Sequence, residues 1–559
     1  MSLVTTLPRL LRTLVHVPPQ AVKWRLMARA KRYYYMSPLF GLGGLQQQNE
    51  IWPEPEWVGV ELVAGSPAAG NLMASGKYEF VGNTLQLEMP PRTWMPPQAS
   101  ALWVFNLHYH EWLADLRAAG QREAAQKLVG DWLLKFGGYH PVVWHPYPTS
   151  LRIVAWLTHG AWLLDGADDD LKQAFYESLY GQALYLAANP ERDLGGNHLL
   201  KNLKAMIYSG LGLDLPDVYA KGMAELLREL PVQILPDGMH YERSPMYAAQ
   251  VLRDLLDVRA VLRKTGGAPK ILDETVRKLG TALGFFVHGD GRLGLFNDGA
   301  EMEENQIGQL LRLSGADDTP DVLPDAGYAR LMRGGTLVLF DAGRVGPDEN
   351  PGHAHADTLS FELSVGRERV IVNSGTYAYQ HSQRNVYRGT AAHSTVSIEG
   401  VDSAEVWANF RVGRRPQHVD LNLQGGEEPL PGGDIWVEGA HDGWRNLGIV
   451  HRRKLLLAGD GSKLRGEDEL TWGRSPGRRV RAHFHLHPDV QVRLLSDTEA
   501  ELETAAGVKL RVTVNGGRLD VRDSRYAPQF GKQFPTRQLM IHGRPVGQGC
   551  QMQWLVERI

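Results

Sequence analysis

The hydrophobic pattern divides the chain into two halves with different periods. From about residue 100 to 290, apolar positions recur at three- and four-residue spacing, as in Ile153, Trp156 and Leu157, or Leu252, Leu255 and Leu256. That spacing gathers them on one helical face. It predicts helices over 108–119, 121–136, 150–164, 168–188, 197–212, 216–230, 243–264 and 269–287, with one more at 304–313. Gly137-Gly138, Asn189-Pro190, Gly195-Gly196, Pro231 and Pro236 separate them. Consecutive helical hairpins without strands point to a layered helical array or toroid.

From 327 onward, short runs of strand-forming residues take over, at 336–340, 369–372, 394–398, 454–457, 483–487 and 509–514. Gly, Asp and Pro turns lie between them, which predicts antiparallel sheets packed as a sandwich. Residues 1–95 are mixed, with a turn-rich connector at 52–57 and a short strand at 81–87. Pro90, Pro91, Pro96 and Pro97 then mark a boundary. The expected architecture is multidomain α+β. An N-terminal extension (1–95) precedes a helical (α/α) toroid (96–320), and an antiparallel β-sandwich domain (321–559) follows.

The stretch 352–363 reads Gly-His-Ala-His-Ala-Asp-Thr-Leu-Ser-Phe-Glu-Leu. As a strand it places His353, His355 and Asp357 on one face, with Leu359, Phe361 and Leu363 continuing that face. A face that turns from polar to apolar along one strand predicts the mouth of a pocket at a sheet end.

Composition narrows the classes. The 559 residues exceed one compact core, and 43% apolar with 22% charged content is that of an ordinary globular protein. A formal charge of −3 gives no reason to expect nucleic acid. One cysteine, Cys550, excludes internal disulfides. No apolar run approaches the roughly 20 residues of a membrane span. No signal peptide is evident, so the expected compartment is the cytoplasm or periplasm of a bacterium. Residues 9–32 carry Arg9, Arg12, Lys23, Arg25, Arg29, Lys31 and Arg32. This stretch reads as a solvated basic face or as a membrane-surface helix.

Several clusters carry candidate chemistry. Gly196-Asn197-His198 opens a helix, where Asn197 is either an N-cap or an amide at the lip of the array. Residues 237–247 (Asp-Gly-Met-His-Tyr-Glu-Arg-Ser-Pro-Met-Tyr) bring together Tyr241, Glu242, Arg243 and Tyr247. Trp144-His145-Pro146-Tyr147-Pro148, with Arg152, is either a packed turn or a sugar-stacking wall. His483, His485 and His487 alternate along one strand and read as an exposed histidine face or a metal site.

Taken in order, these motifs resemble those of the heparinase II/III-like polysaccharide lyases. The set is Asn197-His198, the 237–247 block, Gly352-His-x-His-x-Asp357, Asn373-Ser-Gly-Thr-Tyr-x-Tyr379 and Arg388-x-x-x-x-His393. The resemblance covers about 100–420. It implies a helical toroid, a β-sandwich and a cleft between them, with an acidic polysaccharide as substrate. The implied reaction is β-elimination at a 4-linked uronic acid. It needs a group that neutralises the carboxylate, a base for the C5 proton and an acid for the leaving O4.

Carried over residue by residue, Asn197 is the neutraliser, assisted by His198. Tyr247 and His353 divide the proton transfers. Trp144, Tyr241, Glu242, Arg243, Arg384 and Arg388 are expected to contact substrate. The resemblance also implies a structural zinc at His355, Asn373 and His393. Asn373 stands where the family usually has aspartate, and a neutral amide is the poorer ligand. The alternative is a hydrogen-bonded pair of His355 and His393. Competing functions are a C5-uronyl epimerase, an inverting hydrolase using Asp237 and Glu242, and a non-catalytic glycan-binding protein in exopolysaccharide biosynthesis.

Overall fold

A computed structural model describes residues 3–37, 51–379, 381–426, 428, 430–474 and 477–559. Residues 38–50, part of the stretch read as a mixed extension, lie outside the described residues. The chain forms two compact units. One comprises Pro18–Val232 and Gln250–Val276, the other Met1–Val17, Gln233–Ala249 and Arg277–Ile559.

The first unit is helical, and its helices include Arg122–Phe136, Pro146–Leu164, Asp169–Ala188 and Gly196–Gly212. Polar caps set their starts. Asp168 Oδ1 accepts from Leu171 N at 2.7 Å, and Ser100 Oγ accepts from Trp103 N at 3.2 Å. The helix expected at 108–119 is instead two, Ala101–Tyr109 and Leu113–Ala118. Between them His110 takes φ +58°. Its buried ring packs against Trp112, Trp132 and Trp156 and accepts the Trp156 indole N–H at 2.9 Å. Burying that imidazole among tryptophans outweighs the helical period. The strand expected at 81–87 is a hairpin, Lys77–Phe80 with Asn83–Gln86. Val81 and Gly82 turn it with positive φ.

The second unit holds two large antiparallel sheets. One has eight strands, ordered Val419–Gln424, Ile435–Trp444, Ile449–Leu457, Lys463–Trp472, Gly549–Arg558, Lys509–Asn515, Glu499–Glu503 and Gln491–Leu494. The other runs from Gly517–Gln529 through Lys532–Gly543, Val480–Leu486, Glu368–Val372, Phe361–Val365, Thr336–Asp341 and Tyr328–Arg333 to Val322–Leu323. One hydrophobic core joins them: Phe340, Leu363 and Phe484 from one sheet meet Val437, Leu455 and Trp554 from the other. Phe361 stacks on Trp554 with centroids 5.4 Å apart. This is the sandwich that the strand pattern predicts.

One expectation needs correction. The 352–363 segment is not one strand. Pro351–His353 is a 3-10 turn and the strand is only Phe361–Val365. Between them Ser360 N closes a turn on Asp357 O at 2.8 Å, and Leu359 takes φ +64° while its N–H reaches Asp341 O. His353, His355 and Asp357 therefore do not share a strand face. The compact units are not contiguous in sequence. Met1–Val17, Gln233–Ala249 and residues 277–320 belong with the sheets. Specific polar contacts tie them there, such as Arg12 to Glu405 and Asn297 N to Asp357 Oδ2.

Candidate active site

The Gln233–Ala249 segment delivers the first site residues to the sheet unit. Asp237 accepts from Met239 N at 3.1 Å and Ala326 N at 2.7 Å, so it is a turn residue. Gly238 follows at φ +92°, and a Cβ there would lie 2.4 Å from Lys278 O. This geometry requires glycine. After the turn, Ser244 Oγ accepts from Tyr247 N at 3.2 Å and starts the helix Pro245–Thr265. Tyr247 thus stands in the helix's first turn.

Its ring lies on His353, with centroids 3.9 Å apart and planes 14° apart. The Tyr247 hydroxyl meets the Tyr379 hydroxyl at 2.5 Å. Behind His353, Nδ1 pairs with Glu242 Oε2. Glu242 is 1% exposed and belongs to the histidine rather than to an open groove. Burial, then the Asp298 carboxylate, raises the Tyr379 phenol well above its ordinary pKa. Either hydroxyl can be the donor of the pair. The arrangement holds a phenol and an imidazole side by side, each with a partner suited to moving a proton.

Asp298 and Asn297 underpin this group. Asp298 N donates to His353 O at 2.9 Å. Its carboxylate accepts Arg384 on both oxygens, His355 Nε2 at 2.9 Å and Thr376 Oγ1 at 3.3 Å. Burial raises a carboxyl, but Arg384 and His355 outweigh it and hold Asp298 well below the usual carboxylate range. Asn297, at φ +55°, accepts from His355 N at 3.0 Å. The pattern reading passed over both residues. Their signal was an Asn-Asp-Gly run directly after the apolar Leu293–Phe296 stretch.

His355, Asp357 and His393 form a candidate metal centre, with one ligand atom from each all within 4.8 Å of one another. His393 Nδ1 donates to Gly389 O at 2.9 Å, and His355 Nε2 donates to Asp298. The remaining nitrogens, His355 Nδ1 and His393 Nε2, face each other at 3.0 Å. Burial pushes both imidazoles down to about 4, so both rings are neutral near pH 7. Two neutral rings committed outward in this way confront each other with lone pairs. A cation between them resolves that conflict, and outer hydrogen bonds of this kind orient metal-bound histidines. The residues fit a divalent ion with nitrogen and carboxylate ligands. Asn373, the third ligand expected from the sequence, has its Oδ1 accepting from Ser394 N at 2.9 Å, and Asp357 offers a carboxylate beside the two histidines.

Other expected contacts turn out to be scaffold. Arg384, 1% exposed, is spent on Asp298. Arg388 is fully buried and donates to the carbonyls of Ala354 and Asn409. Arg243 donates to the Ala326, Tyr241 and Asp325 carbonyls. Tyr241 is buried with its ring edge-on to His240. None of these three arginines presents a free fork to an acidic sugar. His483 and His485 are buried, not exposed. They bond Ser397 and Gln538, and Ser524 and Ala391 O, respectively.

In the helical unit, Asn197 is 2% exposed and its Oδ1 has no hydrogen-bond partner among the described residues. Its helix begins without a side-chain cap, so Asn197 is not the N-cap. His198 Nδ1 lies 3.1 Å from Glu191 Oε1, and its ring packs on Tyr147 at 4.3 Å. Glu191 also accepts Asn202 Nδ2 at 3.1 Å. Trp144 is 4% exposed, donates to Phe136 O at 3.3 Å and packs edge-on against Tyr185. It packs in a turn, and Arg152, in the helix Pro146–Leu164, is buried over Trp132 and bonds Gln182 and His108 O.

A helical region followed by a two-sheet sandwich, with a tyrosine–histidine pair above a histidine-rich centre, defines a class that sequence comparison identifies. The chain belongs to the heparinase II/III-like family. Residues 94–314 match the Heparinase II/III N-terminus model, and residues 317–555 match the Heparinase II/III-like, C-terminal model. Among characterised relatives, FtsZ-localized protein C of Caulobacter vibrioides is 28% identical over 456 residues, 78% of each chain. Heparin-sulfate lyase of Pedobacter heparinus is 24% identical over 258 residues, 40% of this chain and 39% of that one. Among solved structures, that of heparinase III has the same fold, with a TM-score of 0.72 at 16% identity over 95% of this chain and 89% of the other. A mutant of heparan sulfate lyase HepC from Pedobacter heparinus gives 0.61 at 17% identity, covering 90% and 86%.

Proposed function

We propose that the chain cleaves a uronate-bearing polysaccharide by β-elimination, leaving a 4,5-unsaturated uronate end. The observation that carries this reading is the Tyr247–His353 stack, with Tyr379 on the phenol and Glu242 on the imidazole. In the reaction the C5 proton passes to a base, the C4–O4 bond breaks, a C4–C5 double bond forms and O4 takes a proton. Tyr247 and His353 carry the two transfers. Tyr379 holds the Tyr247 hydroxyl in place through their hydrogen bond. Glu242 fixes the histidine's tautomer and orientation, as a carboxylate does for a catalytic imidazole.

In the helical unit, Asn197 is the residue we assign to the uronate carboxylate. A buried amide with an unpaired oxygen can use its N–H groups on an acid without adding a competing charge. We assign a zinc ion to His355, Asp357 and His393. It supplies stiffness under the site, while those side chains position the segment that carries His353. The compartment proposed is bacterial cytoplasm or periplasm.

The test is ultraviolet absorbance during incubation of the full chain with heparan, hyaluronan, chondroitin, alginate and bacterial exopolysaccharides. A lyase produces the absorbing conjugated uronate from at least one of them, and His353→Ala and Asn197→Ala abolish it. Solvent deuterium at C5 without chain cleavage would identify an epimerase instead. Saturated reducing ends would identify a hydrolase. Binding without any product would identify a glycan-binding protein.

A further inference from the structure

The first 49 residues contain no aspartate or glutamate, although the whole chain has 63. They contain seven Lys and Arg, all between 9 and 32. Two helices in this stretch present their apolar sides to solvent.

The first is Leu3–Leu14, in the sheet unit. It is held by its polar side. Arg12 donates to both Glu405 oxygens at 2.7 and 2.8 Å, Arg9 lies 3.3 Å from the same carboxylate, and Trp407 Nε1 donates to Thr13 Oγ1 at 3.2 Å. The opposite side carries Leu7, Leu11 and Leu14, which are 60%, 57% and 55% exposed. Their spacing of four and three makes one stripe. A surface helix normally buries its leucines and wets its arginines. This one is mounted the other way round.

The second is Pro19–Met36, in the helical unit. Lys31 Nζ donates to Ala188 O at 2.6 Å, Tyr35 accepts from Asn189 at 2.8 Å, and Arg192 lies over Trp24 at 5.2 Å. Val22, Leu26 and Tyr33 remain exposed along one stripe that Arg29 shares, with Lys23 and Arg25 flanking it.

We infer that these two helices seat the protein on an anionic membrane surface. Outward leucines and tyrosines flanked by basic residues, with no acidic residue across 49 positions, match the chemistry of an acidic lipid interface. No described helix is long and apolar enough to cross a membrane, so the contact is with the surface. The inference is independent of the reaction assigned to the site.

The test is sedimentation of the full chain with vesicles of phosphatidylcholine alone, or mixed with about one-third phosphatidylglycerol. The wild type is expected in the pellet with the mixed vesicles and in the supernatant with the neutral ones. Raising salt from low to physiological concentration should weaken binding. Leu11→Asp combined with Leu26→Asp, and separately Lys23→Glu with Arg29→Glu, should each lower binding at least about tenfold. All four positions are exposed, so melting temperature should hold. Wild-type protein that stays in the supernatant with both vesicles overturns the inference, as does unchanged binding in both variants. If the wild type sediments as a dimer that Leu11→Asp dissolves, the leucine face is covered by a second copy and the inference is likewise overturned.

Discussion

Tyr247 lies flat against the imidazole of His353, 3.9 Å between ring centroids, although 106 positions separate them in the chain. Removing the phenol oxygen leaves the stack and takes away the proton carrier of the proposed reaction. Tyr247→Phe should lower kcat about 10³-fold. Loss of one hydrogen bond to Tyr379 should cost about 1 kcal/mol of stability. Absorbance assays alongside urea unfolding read both. A variant within twofold of wild-type kcat would remove Tyr247 from the chemistry.

In the proposed reaction Glu242 acts on substrate only through His353. Glu242→Ala should lower kcat about 10²-fold while KM moves little, because positioning is lost and sugar contact is not. A rise in KM with kcat intact would return Glu242 to the substrate-binding role read from the sequence.

Arg384 provides the opposite contrast. Arg384→Ala leaves the Asp298 carboxylate buried without its main partner, at a cost of about 3–5 kcal/mol. Unfolding midpoints should drop sharply, and the loss of activity should follow the loss of folded protein. A normally stable variant with a raised KM would show that Arg384 contacts the polysaccharide after all.

The metal centre predicts about one zinc per chain by elemental analysis. Exhaustive chelation should remove about 3–4 kcal/mol of stability, the linkage expected at several hundred times the dissociation constant. His393→Ala should melt with chelated wild type and gain nothing from added zinc. Identical melting of loaded and stripped wild type would favour a plain histidine pair.

Burial pushes His483 down to about 4, against an unfolded value near 6.5. The folded state refuses a proton that the unfolded chain accepts between those values. Its contribution is therefore complete above pH 6.5 and is lost as pH falls toward 4. The gap corresponds to about 3 kcal/mol. His483→Gln should flatten stability between pH 6.5 and 4 relative to wild type. Parallel curves for the two proteins would refute the assignment.

How much of this was legible in the sequence depended on distance along the chain. Helices such as Arg122–Phe136 and Gly196–Gly212 follow from local period, and their limits agree to about a residue. Asn197, Tyr247 and His353 stood out because they sit in motifs that resemble those of the heparinase II/III-like lyases. The failures share a cause. Arg384 looked like a sugar-binding arginine because its partner, Asp298, is 86 positions away. The 352–363 stretch looked like a strand because nothing local marks Leu359 for positive φ. The ribbon Gly517–Gln529 with Lys532–Gly543 was missed because much of it is wet on both sides, which blurs alternation. Asp357 was not singled out beside His355 and His393, since only the turn at Ser360 swings its carboxylate toward the two histidines.

Asp298 grips the His353 backbone, the outward Nε2 of His355, the Arg384 helix and the Thr376 loop at once. Anyone redesigning this protein inherits that junction. Thermal hardening and reactivity cannot be tuned there as separate dials, since a change made for either will be transmitted to the other. A useful variant library should therefore hold position 298 constant and explore the periphery.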